Sequence, residues 1–261
     1  MRLDDLTGKV VLVSGGTQGV GAAVARATAA EGARVVVTGR RAELGERVAE
    51  DLRGRFGGEA VFLRADVADV AEAQATVART VERFGRIDGL VNAAGLTSRG
   101  TLLDTDEQLF DAHVAVNLKA PFFTMQAAVR DMRSRGEAGA IVNVITMSAH
   151  GGQPYLAPYV AAKAGLVGLT RNAAHAHRWD RIRINGVNIG WTETEGEDAV
   201  QREFHDADDG WLERAARSQP MGRLGQVDDV AALVVLLLSE RSGVVTGSVV
   251  DWDQQVPGAH D

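Results

Sequence analysis

Apolar positions along this 261-residue chain come in two forms: short unbroken β-branched runs, and longer stretches with helical spacing. Lys9–Val13 is such a run, the mark of a strand buried on both faces of a parallel sheet. Ala22 to Glu31 then reads as a helix, stopped by Gly32 in the C′ place. Arg34–Thr38 and Ala60–Asp66 are the next two strands, and Asp69–Phe84 is helical, with Val70, Ala73, Val77 and Val81 on one face and Gly85 closing it. Ile87–Val91 is the fourth strand. Thr105-Asp106-Glu107-Gln108 has the spacing of a capping box, so a helix starts there and carries Asn117 near its far end. Pro121 marks a break, a kink, or the first turn of a continuing helix. Ala140–Thr146 is the fifth strand, and a helix holding Tyr159 and Lys163 runs to about His177. Ile182–Asn188, the apolar helix Val227–Ser239 and Ser248–Val250 complete the series. This alternation predicts an α/β fold: one Rossmann-like, doubly wound parallel sheet of about seven strands, with helices on both faces. No linker, low-complexity block or repeat divides residues 1–261, so one domain is expected.

Composition narrows the classes. A hydrophobic content of 45% with 24% charged residues is ordinary for a globular protein with a sizeable core. The net charge of −7, without a basic stripe, argues against a nucleic-acid partner. Absence of cysteine excludes disulfides, thiolate metal ligands and a cysteine nucleophile. The acidic start Met1–Leu6 lacks a signal peptide's apolar run, and the longest apolar stretch, Val230–Leu238, is too short for a membrane span; a cytoplasmic protein is expected.

Candidate chemistry begins after the first strand, at Ser14-Gly15-Gly16-Thr17-Gln18-Gly19-Val20-Gly21. Strand, glycine loop and helix together point backbone N–H groups and a helix N-terminus at a phosphate; the competing reading is a tight turn without a ligand. The second strand ends in Gly39-Arg40-Arg41 with no carboxylate, which favours NADP(H) over NAD(H) unless the two arginines only form a solvated helix entry. Tyr159 and Lys163 stand at i and i+4, on one face of a helix. An ammonium beside a phenol favours the phenolate and so fits the tyrosine for acid–base work. Alone, the pair could equally decorate a helix surface.

Taken together these residues resemble the short-chain dehydrogenase/reductase family from about Leu6 to Val250. Its Thr-Gly-x-x-x-Gly-x-Gly pattern is met by Ser14-Gly15 through Gly19-Val20-Gly21, with serine for threonine. Asp66-Val67 stands where the family contacts adenine, and Asn92-Ala93-Ala94-Gly95 matches Asn-Asn-Ala-Gly with Ala93 for the second asparagine. Asn117 falls at the family's helix asparagine, and Tyr159-x-x-x-Lys163 is the signature pair. The resemblance implies hydride transfer between nicotinamide C4 and a carbonyl or alcohol carbon. Tyr159 would handle the hydroxyl proton, Lys163 would bind the nicotinamide ribose, and Asn117 would support a water leading to solvent. It also implies a homodimer or homotetramer, paired through the helices carrying Asn117 and Tyr159.

Two departures stand out. The family's serine before the tyrosine is Thr146 here, with Ser148 two residues later as the alternative. The Pro-Gly-x-x-x-Thr segment reads Ile189-Gly190-Trp191-Thr192-Glu193-Thr194, with isoleucine for proline. Residues 191–225 correspond to the family's substrate lid. There Trp191, Trp211 and Met221 either line an apolar pocket or pack the loop, and the many acids would disfavour anionic substrates if they face the cleft. His150 is the histidine nearest the expected site, while His175 and His177 point to different helix faces and chelate no metal. A dinucleotide sensor without chemistry, or a dehydratase or epimerase, are the competing functions.

Overall fold

The computed structural model describes residues 4–258; Met1 to Leu3, part of the acidic start, lie outside it. Seven parallel strands form one sheet in the order β3-β2-β1-β4-β5-β6-β7. They are β1 (Val10–Ser14), β2 (Arg34–Gly39), β3 (Ala60–Arg64), β4 (Gly89–Asn92), β5 (Gly139–Thr146), β6 (Ile182–Ile189) and β7 (Val249–Trp252). The expected sheet is therefore present, and its strands read as continuous apolar runs because both faces are covered. The helices are α1 (Gly19–Ala30), α2 (Ala42–Phe56), α3 (Val70–Phe84), α4 (Glu107–Val114), α5 (Ala120–Arg135), α6 (Ala157–His177), α7 (Glu195–His205), α8 (Trp211–Arg217) and α9 (Val227–Leu238).

Two apolar cores result. One face packs α1, α2 and α9 through Val24, Leu52, Val234 and Leu238; the other packs α3, α5 and α6 through Val77, Met125, Met132 and Ala174. A chain of buried side-chain hydrogen bonds crosses the second face. Thr124 Oγ1 donates to Asn92 Oδ1 (2.7 Å), Asn92 Nδ2 to Asn143 Oδ1 (2.8 Å), and Asn143 Nδ2 to Thr170 Oγ1 (2.9 Å). It ties α5, β4, β5 and α6 together with each buried polar group partnered.

Local differences have simple causes. The helix after β4 is capped by Asp106, whose Oδ1 accepts from Leu109 N (2.8 Å), and not by Thr105, whose hydroxyl turns back to the Thr101 carbonyl (2.6 Å). The helix thus starts one residue later than expected, and with Leu109 at N3 the capping box itself does not form. No break occurs at Pro121, which sits in the first turn of α5. Instead α4 runs into α5 through a π-helical stretch, Ala115–Lys119, which carries Asn117. The acid-rich segment that showed no strand pattern forms α7 and α8. Among the described residues no helix is long and apolar enough to cross a membrane.

Candidate active site

At the C-terminal edge of the sheet the chain leaves β1 and β4, neighbours in the sheet, towards opposite faces. A crevice opens there, as at the switch point of other doubly wound sheets. It widens into a cavity of about 1720 Å³ that runs from Arg40 to the α7 segment.

One end is built by the glycine loop. Gly15 has φ +78°, and a Cβ added there would lie 2.5 Å from Ala94 N; at Gly21 it would lie 2.1 Å from the Gly15 carbonyl oxygen. Only glycine allows these backbones so close. The loop delivers the chain to α1, whose N-cap Gln18 makes no side-chain cap and whose first turn has no acid. Its positive end and free N–H groups are left for an external anion. Gln18 instead accepts a hydrogen bond from Arg41 Nη2, and Arg40 and Arg41 line the same end. Asp66 accepts from Ala68 N (3.1 Å), and with Val67 it forms the adjacent wall beside Ala93, Ala94 and Gly95. A close-packed glycine cradle, an uncapped helix N-terminus and two guanidinium groups fit a pyrophosphate-bearing dinucleotide.

The other end holds the side chains with acid–base capability. Thr146 closes β5, while Tyr159 and Lys163 are buried on the inner face of α6. Lys163 Nζ donates to the Val144 carbonyl (2.9 Å) and lies 5.9 Å from the Tyr159 ring centroid. The expected lowering of the phenol is not what this geometry produces. Burial pushes Tyr159 up to about 12, partly opposed by its hydrogen bond with Thr146, with Glu197 raising and Arg99 lowering it further. Lys163, spent on a carbonyl, is itself pulled down to about 8 by burial. Desolvation is the leading cause for both groups.

Of the two candidate hydroxyls, Thr146 is the one at the phenol. Its Oγ1 donates to Ser148 Oγ (3.2 Å), and Ser148 Oγ donates to Gln153 Oε1 (2.6 Å), so Ser148 stands one step farther out. Thr17, Gln18, Gly19, Val20, Ile189, Gly190, Thr192 and Thr194 also line the cavity. Asn92 and Asn117 do not line it. Asn92 belongs to the buried hydrogen-bond chain. Asn117 Oδ1 accepts from Leu96 N (3.1 Å) and its Nδ2 donates to Leu96 O (3.0 Å), so this side chain fastens the loop after β4. His113, buried one turn earlier, touches Asn117 Nδ2 through Nδ1 (3.2 Å) and meets the Tyr159 ring edge-on at 6.1 Å.

Trp191 lines the cavity, whereas Trp211 packs with Ala215 and Leu224 and Met221 is exposed. His150 reaches the cavity and hydrogen-bonds Asp251 Oδ1 (3.0 Å). Sequence spacing missed Arg99, Tyr155, Gln201 and His205, which complete the far wall. They come from separate loops and α7, with no motif to join them. Among the described residues no His, Cys, Asp and Glu group could hold a metal.

The family model described as enoyl-(acyl carrier protein) reductase matches residues 15–254. The chain belongs to the short-chain dehydrogenase/reductase family. It is thus one of a family of NAD(P)-dependent oxidoreductases acting on alcohol and carbonyl groups. It is 37% identical to the L-rhamnose 1-dehydrogenase (NAD(P)(+)) of Azotobacter vinelandii, over 93% of this chain and 94% of that one. It is 34% identical to a 3-oxoacyl-(acyl-carrier-protein) reductase of Staphylococcus aureus, over 93% and 95%. A short-chain type dehydrogenase/reductase from Mycobacterium marinum superposes with a TM-score of 0.90 at 30% identity, over 99% of both chains. Within this family frame, the burial of Lys163 generates a test. Its folded value of about 8 lies below the ordinary 10.5, so the buried charge costs stability below pH 8. That cost is relieved as pH rises from about 8 towards 10.5. The stability advantage of Lys163→Met over wild type is expected to narrow across this window, by roughly 3 kcal/mol. Urea unfolding of both proteins at several pH values reads this; a pH-independent difference would show that the amine is not desolvated.

Proposed function

We propose that the protein transfers a hydride between NADP(H) and a small carbonyl/alcohol substrate, with Tyr159 as general acid and base. The observation that carries this reading is one cavity with the glycine cradle at one end and Thr146, Tyr159 and Lys163 at the other. The nicotinamide, when bound, supplies or accepts the hydride. Thr146 polarises the substrate oxygen by donating its hydroxyl hydrogen, which requires it to turn from Ser148. Tyr159 then gives its proton to that oxygen during reduction and takes it back during oxidation. A phenol at about 12 keeps its proton through the neutral range, as the donor in carbonyl reduction must. Lys163 would hold the nicotinamide ribose. Asn117, in the π-helical stretch, would keep α4 and the loop after β4 in place while supporting the water path expected from the family.

Arg40 and Arg41, with no carboxylate at the end of β2, support the 2′-phosphate of NADP(H) over the bare ribose of NAD(H). A dinucleotide sensor on this fold would have no use for the buried acid–base set, and no observation favours it. Segment 191–225, with α7 and α8, would be the substrate lid. Exposed small residues on α6 (Ala161, Ala164, Gly165, Gly168) and exposed Phe122 on α5 support pairing of two copies across these helices. A cytoplasmic setting accords with the absence of cysteine.

Tyr159→Phe is expected to lower turnover by a factor of about 100 or more while leaving NADPH affinity unchanged. Full turnover on an identified substrate would sink the mechanism. For cofactor choice, Arg40→Ala should weaken NADPH binding by about tenfold and leave NADH alone. Equal affinities in both proteins would refute the phosphate contact. Sedimentation velocity at micromolar concentration should find a dimer or tetramer, and a monomer would contradict the pairing.

A further inference from the structure

Most acids of the α7 segment do not face the cavity. Asp198 is held by Arg202 Nε (2.9 Å) and Trp211 Nε1 (2.7 Å), Asp208 by Arg214 (2.7 Å), and Asp209 by Arg202 (3.0 Å). Glu193 accepts from Gln226 (3.0 Å). Of these acids and their neighbours only Glu197 lines the cavity, and its Oε1 already takes N–H donors from Trp191 and Gln201 (2.8 Å each). The earlier expectation of repulsion thus loses most of its basis.

Arg99 is placed differently from every arginine of α7 and α8. It rises from the loop after β4 and lines the cavity with Tyr155 and His205. Its guanidinium lies 5.3 Å from the Tyr155 ring centroid and 5.8 Å from that of Phe204. Nη1 donates to the Thr97 carbonyl (3.0 Å), and Nη2 meets His205 Nε2 (3.2 Å). Its Nε is buried without a partner, and among the described residues no carboxylate forms an ion pair with it. The Nε–Nη2 edge is the fork that grips a carboxylate with two parallel hydrogen bonds. Here one prong holds an imidazole nitrogen and the other nothing.

We propose that Arg99 binds the carboxylate of the substrate, so that the protein acts on a small oxo or hydroxy carboxylic acid whose reacting carbon sits at Tyr159. This deepens the oxidoreductase reading and rests on it. The carboxylate takes the Nε–Nη2 edge and displaces His205, which offers a single ring nitrogen where a carboxylate offers two oxygens. A half-buried cation that lacks a counter-charge gains more from a carboxylate than from a neutral hydroxyl, and the same site rejects an analogue that leaves it unpaired. Tyr155 and Phe204 hold the guanidinium plane and cost it no hydrogen bond. Arg99 and Tyr159 line the same cavity.

The test compares wild type, Arg99→Gln and His205→Ala. Each protein, saturated with NADP+, is titrated calorimetrically with malonate, succinate and glutarate and with their diamides. At least one dicarboxylate should bind wild type about tenfold or more tighter than its diamide, and Arg99→Gln should erase that difference. His205→Ala, which removes the competing imidazole, should keep or tighten the binding. In parallel, NADPH oxidation is followed with oxo acids of several chain lengths and with their methyl esters; acids should be preferred by wild type and not by Arg99→Gln. The inference is overturned if no dicarboxylate binds in an Arg99-dependent way, or if esters serve wild type as well as acids. A loss in His205→Ala equal to that in Arg99→Gln also overturns it, because then Arg99 serves only to clasp α7. Failure of both NADPH and NADH to bind would refute the oxidoreductase reading; reduction of neutral ketones, indifferent to Arg99, would remove the carboxylate alone.

Discussion

The close approach of the loop after β1 to the loop after β4 is the constraint on which the site depends. The two strands are hydrogen-bonded neighbours, paired from Val11 with Gly89 to Ser14 with Asn92, yet their chains depart to opposite faces. In the gap between those departures the N-terminus of α1, the two loops and the C-terminal ends of β5 and β6 share one cavity. Gly15 holds the gap narrow, because any side chain there would strike the Ala94 backbone. Everything further along the cavity is placed relative to that contact.

At the inner end the governing effect is desolvation. Tyr159 and Lys163 are both buried, and each is driven towards its neutral form, in opposite pKa directions. The ammonium is turned to a backbone carbonyl and the phenol to a threonine hydroxyl, so neither depends on the other for its hydrogen bond. Such a pair is poised: a small change in what fills the cavity alters both groups together. Farther out, the electrostatics change character, with Asp198, Asp208 and Asp209 held by arginines while no carboxylate pairs with Arg99.

Much of this was legible in the sequence, and for physical reasons. Strands covered on both faces read as unbroken runs such as Val10–Val13, and the glycines of the first loop are forced by contact distance. Tyr159 and Lys163 are joined by a helical turn, which spacing reports directly. What stayed hidden was three-dimensional coincidence. Arg99 and His205 meet across a separation of 106 residues, with no local pattern to link them. The role of the Asn92 side chain was hidden as well: it is buried at the end of β4 and bonded to Thr124 and Asn143. The direction of the Tyr159 shift was hidden too, since spacing gives proximity and says nothing about burial.

The hydrogen-bond chain through Thr124, Asn92, Asn143 and Thr170 has a consequence for how this protein can change over generations. Every donor in it points the same way, from Thr124 to Thr170, which in turn donates to the Leu166 carbonyl. No member can be reversed or lost alone without stranding a buried partner, whereas replacing adjoining members together by apolar groups of matching shape leaves nothing unsatisfied. These four positions are therefore expected to drift as a linked set, and a descendant that lacks one will be found to lack its neighbour as well.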